Sequence, residues 1–580
     1  MGWFRQRFFG ERQDATADAA ALTRLEEHAE LRLAQAAYAE AAQCYRDILA
    51  KRPGSAHAHA RLGVALKALG RTDEARQSAE RALSLEADQA DAHYLLAGIE
   101  AANPAAHAHY AQAIAAAPAF EAPYLDWCRL LFQENRLDEA AALVEQGLAH
   151  LPESVHLRLY LGNLRHTQGR FAEAVGEYEK AAALLPESAA ILANVGLAQL
   201  MACRYDVATS TLQRALELDP GSIDANISLG RAWLDQGNYE AARRSFERAQ
   251  ELDPDHVVAP YNLSHLALLL GDFESGWEGF RLRDRQPGMV RNPDLPQPLF
   301  SLDADVSGKT VFLHAEQGYG DTLQFIRYAA LVASRGARVI VSVPAPLRTL
   351  VANATGVAEV AQPDAPVEFD YHSPLLSLPD VFGTRLESVP HAIPYLRVLP
   401  ARIEHWRGQL GARTRPQTRV GLVWSGDPRK NHVVAHHLDT MRSLRLSQLA
   451  PLIDLAHHLG LELHSLQLGT EAHSQLADYP QIVDHAGALF DFQETAALIE
   501  QLDLVISVDT SVAHLAGAVG KPVWLLNRYN TCWRWLLERE DSPWYPGMRI
   551  FRQPRLGDWD SVIAEVKDAL AGFAQSAHGQ

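Results

Sequence analysis

The chain has 580 residues, more than a single hydrophobic core can serve, so two or three domains are expected. Its 48 % hydrophobic and 21 % charged residues give a globular balance rather than a disordered one. A formal net charge of −18 argues against a general nucleic-acid or membrane-surface binder, which needs a basic footprint.

Taken in chain order, residues 1–24 read as an N-terminal tail. The opening stretch from Met1 to Gly10 carries Trp3, Phe4, Arg5, Arg7, Phe8 and Phe9, but no apolar run of signal-peptide length. This cluster is either a frayed end or a contact to a membrane or partner. No window approaches the ~18 apolar residues of a membrane span, so a cytoplasmic protein is expected. Cys44, Cys128, Cys203 and Cys532 are far apart and suggest neither a disulfide framework nor a zinc cluster.

Residues 25–285 are a repeat. Pro152, Pro186, Pro220 and Pro254 recur every 34 residues, as do Ala140, Ala174, Ala208 and Ala242, and Gly162, Gly196 and Gly230. Ala181, Ala215 and Ala249 keep the same step. Small Gly and Ala let two antiparallel helices approach, large partners such as Tyr178 and Phe246 fill the space, and Pro ends the second helix. Weaker copies reach back through Gly63, Ala75 and Ala82 to Tyr45 and Pro53, and the copy around Ala90–Pro118 is shortened. Seven to eight helical pairs are expected, stacked into an α superhelix with a concave face. This segment resembles the tetratricopeptide family, whose members usually bind peptides or proteins. It either recruits a protein acceptor or scaffolds the rest of the chain.

Residues 286–300, with Asn292-Pro-Asp-Leu-Pro-Gln-Pro, form a proline-rich linker. The period then changes. Buried-strand runs at Thr310–His314, Ala337–Val343, Arg419–Trp424, Leu461–Gln467, Leu502–Asp509 and Lys521–Leu526 alternate with helical stretches. One helix is expected over Asp321–Ser334 and another over Thr510–Val519. Two βαβ blocks, 301–400 and 401–575, imply two Rossmann-like lobes with parallel sheets, which bind ligands at the carboxyl ends of their strands.

Two loops carry the chemistry. In Ala315-Glu-Gln-Gly-Tyr-Gly-Asp-Thr, Gly318 and Gly320 allow a tight turn and close approach, and Asp321 either caps the next helix or serves a ligand. The loop is not GxGxxG and lacks an acid about 20 residues on, so nicotinamide is not expected. In Val508-Asp-Thr-Ser-Val-Ala-His, a strand ends at Asp509 and Thr510 and Ser511 open a helix whose amino end suits a pyrophosphate. His514 faces either ligand or core. Gly517 and Gly520 allow packing and a turn.

Three stretches together resemble bacterial tetratricopeptide glycosyltransferases related to the heptosyltransferase family: Glu316–Asp321, Ser507–Gly517, and Trp533-Arg-Trp-Leu-Leu-Glu-Arg-Glu-Asp-Ser-Pro-Trp-Tyr-Pro, continuing through Arg549–Gln553. The resemblance implies a GT-B fold with the donor mainly in the C-terminal lobe, no cofactor and no obligatory metal. It implies that Asp321 is the general base on an acceptor hydroxyl, and that Asp509, Thr510, Ser511 and His514 hold the donor diphosphate. Many heptosyltransferases have Gly where this chain has Ser511. Arg442 matches the family's basic phosphate ligand, with Arg429 and Lys430 as alternatives. Gln467 and Glu471 are expected near the nucleoside or ribose.

His432, His436 and His437 lie in a loop-like run without Cys, so a metal site is not expected there. Asp303-Ala-Asp305 precedes the first strand and is set aside. Trp533, Trp535, Trp544 and Tyr545 are either core or a stacking surface. Arg534 either reaches a phosphate or pairs with Glu538. The expected activity is inverting sugar transfer from a nucleotide-sugar donor. An organisation similar to that of the O-linked N-acetylglucosamine transferases makes Ser or Thr of a bacterial surface protein such as flagellin the expected acceptor. A degenerate, non-catalytic scaffold and a lipopolysaccharide-type transferase are the rivals.

Overall fold

The computed structural model describes residues 20–101, 103–286, 295–362, 366–411, 418–429 and 432–578. The N-terminal aromatic and basic cluster, most of the proline-rich linker and Lys430 lie outside these residues. The chain divides between Ala202 and Cys203 into two compact units.

The first unit is all helix. A helix over 20–34 is followed by Tyr38–Lys51, Ala56–Ala68, Thr72–Leu85 and so on to Ala189–Met201. The helices starting at Glu121, Val155 and Ala189 are spaced by 34 residues. The shortened copy has a ten-residue first helix, Ala90–Ile99. Small residues hold the hairpins together: a Cβ at Gly162 would stand 2.4 Å from the Tyr178 ring, and Ala140, Ala174 and Ala181 are fully buried. Ser154 and Ser188 cap their helices by accepting the amide three residues on.

The second unit opens with more hairpins of this kind: Tyr205–Leu218, Ile223–Asp235, Tyr239–Leu252, Val258–Leu269 and Phe273–Phe280. They share a core with the α/β part that follows. Phe273, Trp277 and Phe280 pack among Phe325, Tyr328, Trp533 and Trp544. Trp277 Nε1 donates to the Thr384 carbonyl at 2.7 Å, and Arg281 forms a two-bond pair with Asp380.

The α/β part contains two parallel sheets. The first comprises β1 (Thr310–His314), β2 (Arg338–Ser342), β3 (Glu359–Val360) and β4 (Tyr371–Pro374), in the order β3-β2-β1-β4. The second comprises β5 (Arg419–Val423), β6 (Glu462–Ser465), β7 (Ile482–Asp484), β8 (Leu504–Val508), β9 (Val523–Asn527) and β10 (Met548–Arg552). Its order is β10-β9-β8-β5-β6-β7. Every residue of β5, β8 and β9 is buried, as parallel strands covered on both faces require. Read from β7, this is the 3-2-1-4-5-6 order of a doubly wound sheet, and chain order reverses between β5 and β8.

Two sequence expectations are corrected. The single helix over 321–334 is broken into Tyr319–Phe325, a 3₁₀ turn Ile326–Tyr328 and Ala329–Ser334. The Arg327 side chain accounts for the break: it donates to the Gln324 carbonyl at 2.8 Å, competing with the helix ladder, and also to Pro390 O, Trp544 O and Tyr395 Oη. The histidine run is helix, Val433–Arg442, because His432 caps it through Nδ1, which accepts from the Ala435 amide. Among the described residues no helix is long and apolar enough to cross a membrane.

Candidate active site

The loop after β1 leads into the helix Tyr319–Phe325. Asp321 Oδ2 accepts from the Gly318 amide at 2.9 Å, so the carboxylate does cap its own helix. Its other oxygen, Oδ1, receives Arg534 Nη2 at 2.5 Å. The motif's Glu316 is a structural anchor, buried in a two-bond pair with Arg283, which also reaches Ser377 Oγ. Gly320 is required by a close approach: a Cβ there would stand 3.0 Å from His514 Cδ2 and 3.7 Å from Ser511 Cα.

The second loop follows β8. Thr510 is extended and Ser511 begins the helix Ser511–Ala518. No left-handed backbone is needed at Ser511, so a serine fits this turn. Thr510 does not cap the helix through its side chain; its Oγ1 bonds Ser507 Oγ at 3.1 Å. The amino end is thus left without a Thr510 cap. His514 lies in the core: Nδ1 sits 2.9 Å from Tyr545 Oη and the ring stacks on Trp535. Burial, above all, pushes its pKa down to about 4, so the ring is neutral at pH 7. A Cβ at Gly517 would stand 2.5 Å from the Tyr545 ring, and Gly520 turns with φ of +88°.

Around the β5–β8 reversal, Arg442 ends its helix and donates from Nη1 to the Asp509 carbonyl at 2.9 Å, while Nε pairs with Asp439 at 3.0 Å. A Cβ at Gly426 would strike Asp439 and Arg442, so the loop after β5 passes directly beneath this pair. Gln467 is buried and committed. Its Oε1 accepts from the Trp424 and Ser425 amides and its Nε2 donates to the Ser425 and Leu468 carbonyls. It shapes the turn rather than offering a free amide to a nucleoside. Glu471 is exposed on the short helix Thr470–His473 after β6, and Arg429 adopts a left-handed φ of +40° in the loop after β5.

Arg534 joins the two loops and is the residue of this cluster least expected from sequence. Its partners are Asp321 and, at 2.7 Å, Gln324 Oε1 rather than Glu538. Burial opposes its charge, yet the Asp321 carboxylate, Cys532 and the Asp509 carboxylate outweigh burial and raise its pKa. One guanidinium therefore feels the carboxylates of both loops. The helices Tyr319–Phe325 and Ser511–Ala518 pack on each other, and Tyr261 and His265 of the last repeat hairpin lie within electrostatic reach of Arg534. Trp533, Trp535, Trp544 and Tyr545 are buried core, not a stacking surface. Only the Trp-Arg-Trp spelling signalled Arg534, because its partner lies 213 residues away. The arrangement offers a carboxylate held by a guanidinium opposite a helix amino end flanked by a second guanidinium.

Comparisons with known proteins match repeats on both sides of Ala202 and a segment of the α/β part. A family model described as Tetratricopeptide repeat matches residues 32–99, and another matches 125–189, 168–223, 196–257 and 227–275. The model described as Glycosyltransferase family 9 (heptosyltransferase) matches residues 470–532, the stretch holding β7, β8, β9 and the Asp509 turn. Protein FlbA of Caulobacter vibrioides (strain ATCC 19089 / CIP 103742 / CB 15) is 26 % identical over 331 residues, 52 % of this chain and 53 % of that protein. The chain thus spans about half the length of the curated relative it matches. Among solved structures, YrrB, described as a TPR protein with an unusual peptide-binding site, is 24 % identical over 31 % of this chain and 93 % of its own, with a TM-score of 0.26. MamA from Desulfovibrio magneticus RS-1 is 19 % identical over 28 % and 96 %, also with a TM-score of 0.26. The chain therefore carries tetratricopeptide repeats and, after them, a segment matching glycosyltransferase family 9 (heptosyltransferase).

Proposed function

We propose that the second unit is a GT-B glycosyltransferase that moves a sugar, with inversion and without a metal, from a nucleotide-sugar donor to a protein acceptor recruited by the repeats. The carrying observation is that Asp321 and Asp509, from loops at the carboxyl ends of β1 and β8, both act on Arg534. In this reading Asp321 takes the proton of the acceptor hydroxyl. The hydroxyl oxygen bonds the anomeric carbon as the bond to the diphosphate breaks on the opposite face. The departing negative charge is received by the amino end of the helix Ser511–Ala518 and by Arg442. Arg534 is a positioning residue for Asp321. No cofactor is required, and a cytoplasmic location suits a nucleotide-sugar donor.

A thermal-shift screen with UDP-, GDP-, ADP- and dTDP-sugars tests the donor half of this proposal; no shift with any of them would favour the non-catalytic scaffold. The acceptor half is tested by deletion. Removing residues 1–285 is unsuitable, because it would take away Arg283 and strand the buried Glu316. Removing residues 1–202 respects the division of the chain. Loss of protein modification with donor binding retained supports a recruited acceptor, and unchanged sugar transfer supports a lipopolysaccharide-type enzyme instead.

A further inference from the structure

Two arginines stand at a spot that the transfer step does not use. Arg528 directly follows β9, at the carboxyl edge of the six-stranded sheet beside β8. Its Nε and Nη1 are shielded from solvent and have no hydrogen-bond partner among the described residues. Arg231, on the repeat helix Ile223–Asp235, acts together with Arg528 on both Asp235 and His437. Burial pushes the Asp235 carboxyl up, and its Oδ1 already accepts from Asn530 Nδ2 at 3.1 Å. Burial first, and then Arg231 and Arg528, push His437 down to about 4, so it is neutral. Asn530 Oδ1 is buried and unpartnered as well.

The cluster adjoins the donor loop. His437 and Met441 lie one turn apart on the helix Val433–Arg442, and Met441 Sδ meets Asn530 Nδ2 at 3.4 Å. The next residue, Arg442, reaches the Asp509 carbonyl. Arg327, buried in the same part, finds three carbonyls and a hydroxyl as acceptors, whereas Arg528 leaves two donors open. Unpaired donors beside a second guanidinium are unfavourable unless an anion completes them. Guanidinium forks match phosphate oxygens, and the carboxyl edge of a doubly wound sheet is where nucleotides bind. We propose that Arg528 and Arg231 form a second anion subsite for the phosphate oxygens of a nucleoside diphosphate, so that a repeat helix supplies one of the donor's ligands. This rests on the transferase reading.

Calorimetric titration of the full chain with UDP, GDP, ADP and dTDP tests the proposal in wild type, Arg528→Gln and Arg231→Gln. Each variant is expected to bind the preferred diphosphate at least about tenfold more weakly, while binding of the bare nucleoside stays within about twofold. The ligand-free melting temperature of Arg528→Gln should equal or exceed that of wild type, since two shielded donors without a partner are gone. If Arg528→Gln does not fold, Arg231→Gln, at a half-buried site on its helix, decides alone. Diphosphate affinity within about twofold of wild type in the folded variants would overturn the subsite and leave the transferase reading standing. A wild-type chain that binds none of the four diphosphates would overturn both.

Discussion

In the proposed reaction Arg442 and Arg534 divide the electrostatic work, and each can be examined singly. Arg442→Ala should weaken donor binding by roughly 2–4 kcal/mol if its guanidinium meets a buried diphosphate, and calorimetry reads this directly. An unaltered affinity would reassign the residue to holding the Asp509 loop through its bond to that carbonyl. Histidines give a pH signature. His514, His265, His314 and His464 are each pushed down to about 4, with burial the main cause. In the unfolded chain they titrate near 6.5, so below that pH the unfolded state takes up protons that the folded state refuses. Stability present above pH 6.5 should therefore fall progressively as the pH drops towards 4. A melting temperature flat across that window would contradict the burial of these rings. At this scale the cap at Asp321 was legible, because an acid in the first turn of a helix can accept from the amide that precedes it. The commitment of Gln467 was not, because three of its four partners are main-chain atoms of Trp424 and Ser425, more than forty residues away.

At the scale of elements, the 34-residue step made the hairpins readable, because each small residue answers one large neighbour. Gly230 faces Phe246, and a Cβ there would stand 2.5 Å from the ring, whereas at Gly176 nothing lies within 4 Å. Gly230→Ala should cost about 1–3 kcal/mol through overpacking, while Gly176→Ala on an open helix face should stabilise by about 0.5–1 kcal/mol. Thermal melts of the two variants should move in opposite directions; a shared direction would mean that the hairpins do not pack as described. Six of the ten strands among the described residues, β1, β2, β5, β6, β8 and β9, were equally plain as largely apolar runs, whereas β3, β4, β7 and β10 were missed. The break after Phe325 and the helix Val433–Arg442 were missed. One arose from an inward-turned arginine whose acceptors are a local carbonyl and two distant segments, at Pro390–Tyr395 and at Trp544, the other from a histidine acting as a cap. Neither leaves a periodic trace.

For the whole molecule, the proline-rich linker is the obvious boundary in sequence, yet the compact units part between Ala202 and Cys203. The last hairpins belong to the α/β part because Trp277, Arg281 and Arg283 find their partners there. A chain lacking residues 1–202 should fold and retain donor binding, whereas one lacking residues 1–285 should aggregate, which solubility and melting curves distinguish. The central claim is that Asp321 performs the proton transfer opposite a diphosphate seated at the Asp509 turn. The most direct measurement compares wild type and Asp321→Asn, with the nucleotide-sugar selected by the donor screen, for both binding and release of nucleoside diphosphate. The account predicts donor affinity close to wild type with release slowed by about 10²–10⁴-fold. Release at the wild-type rate would contradict it.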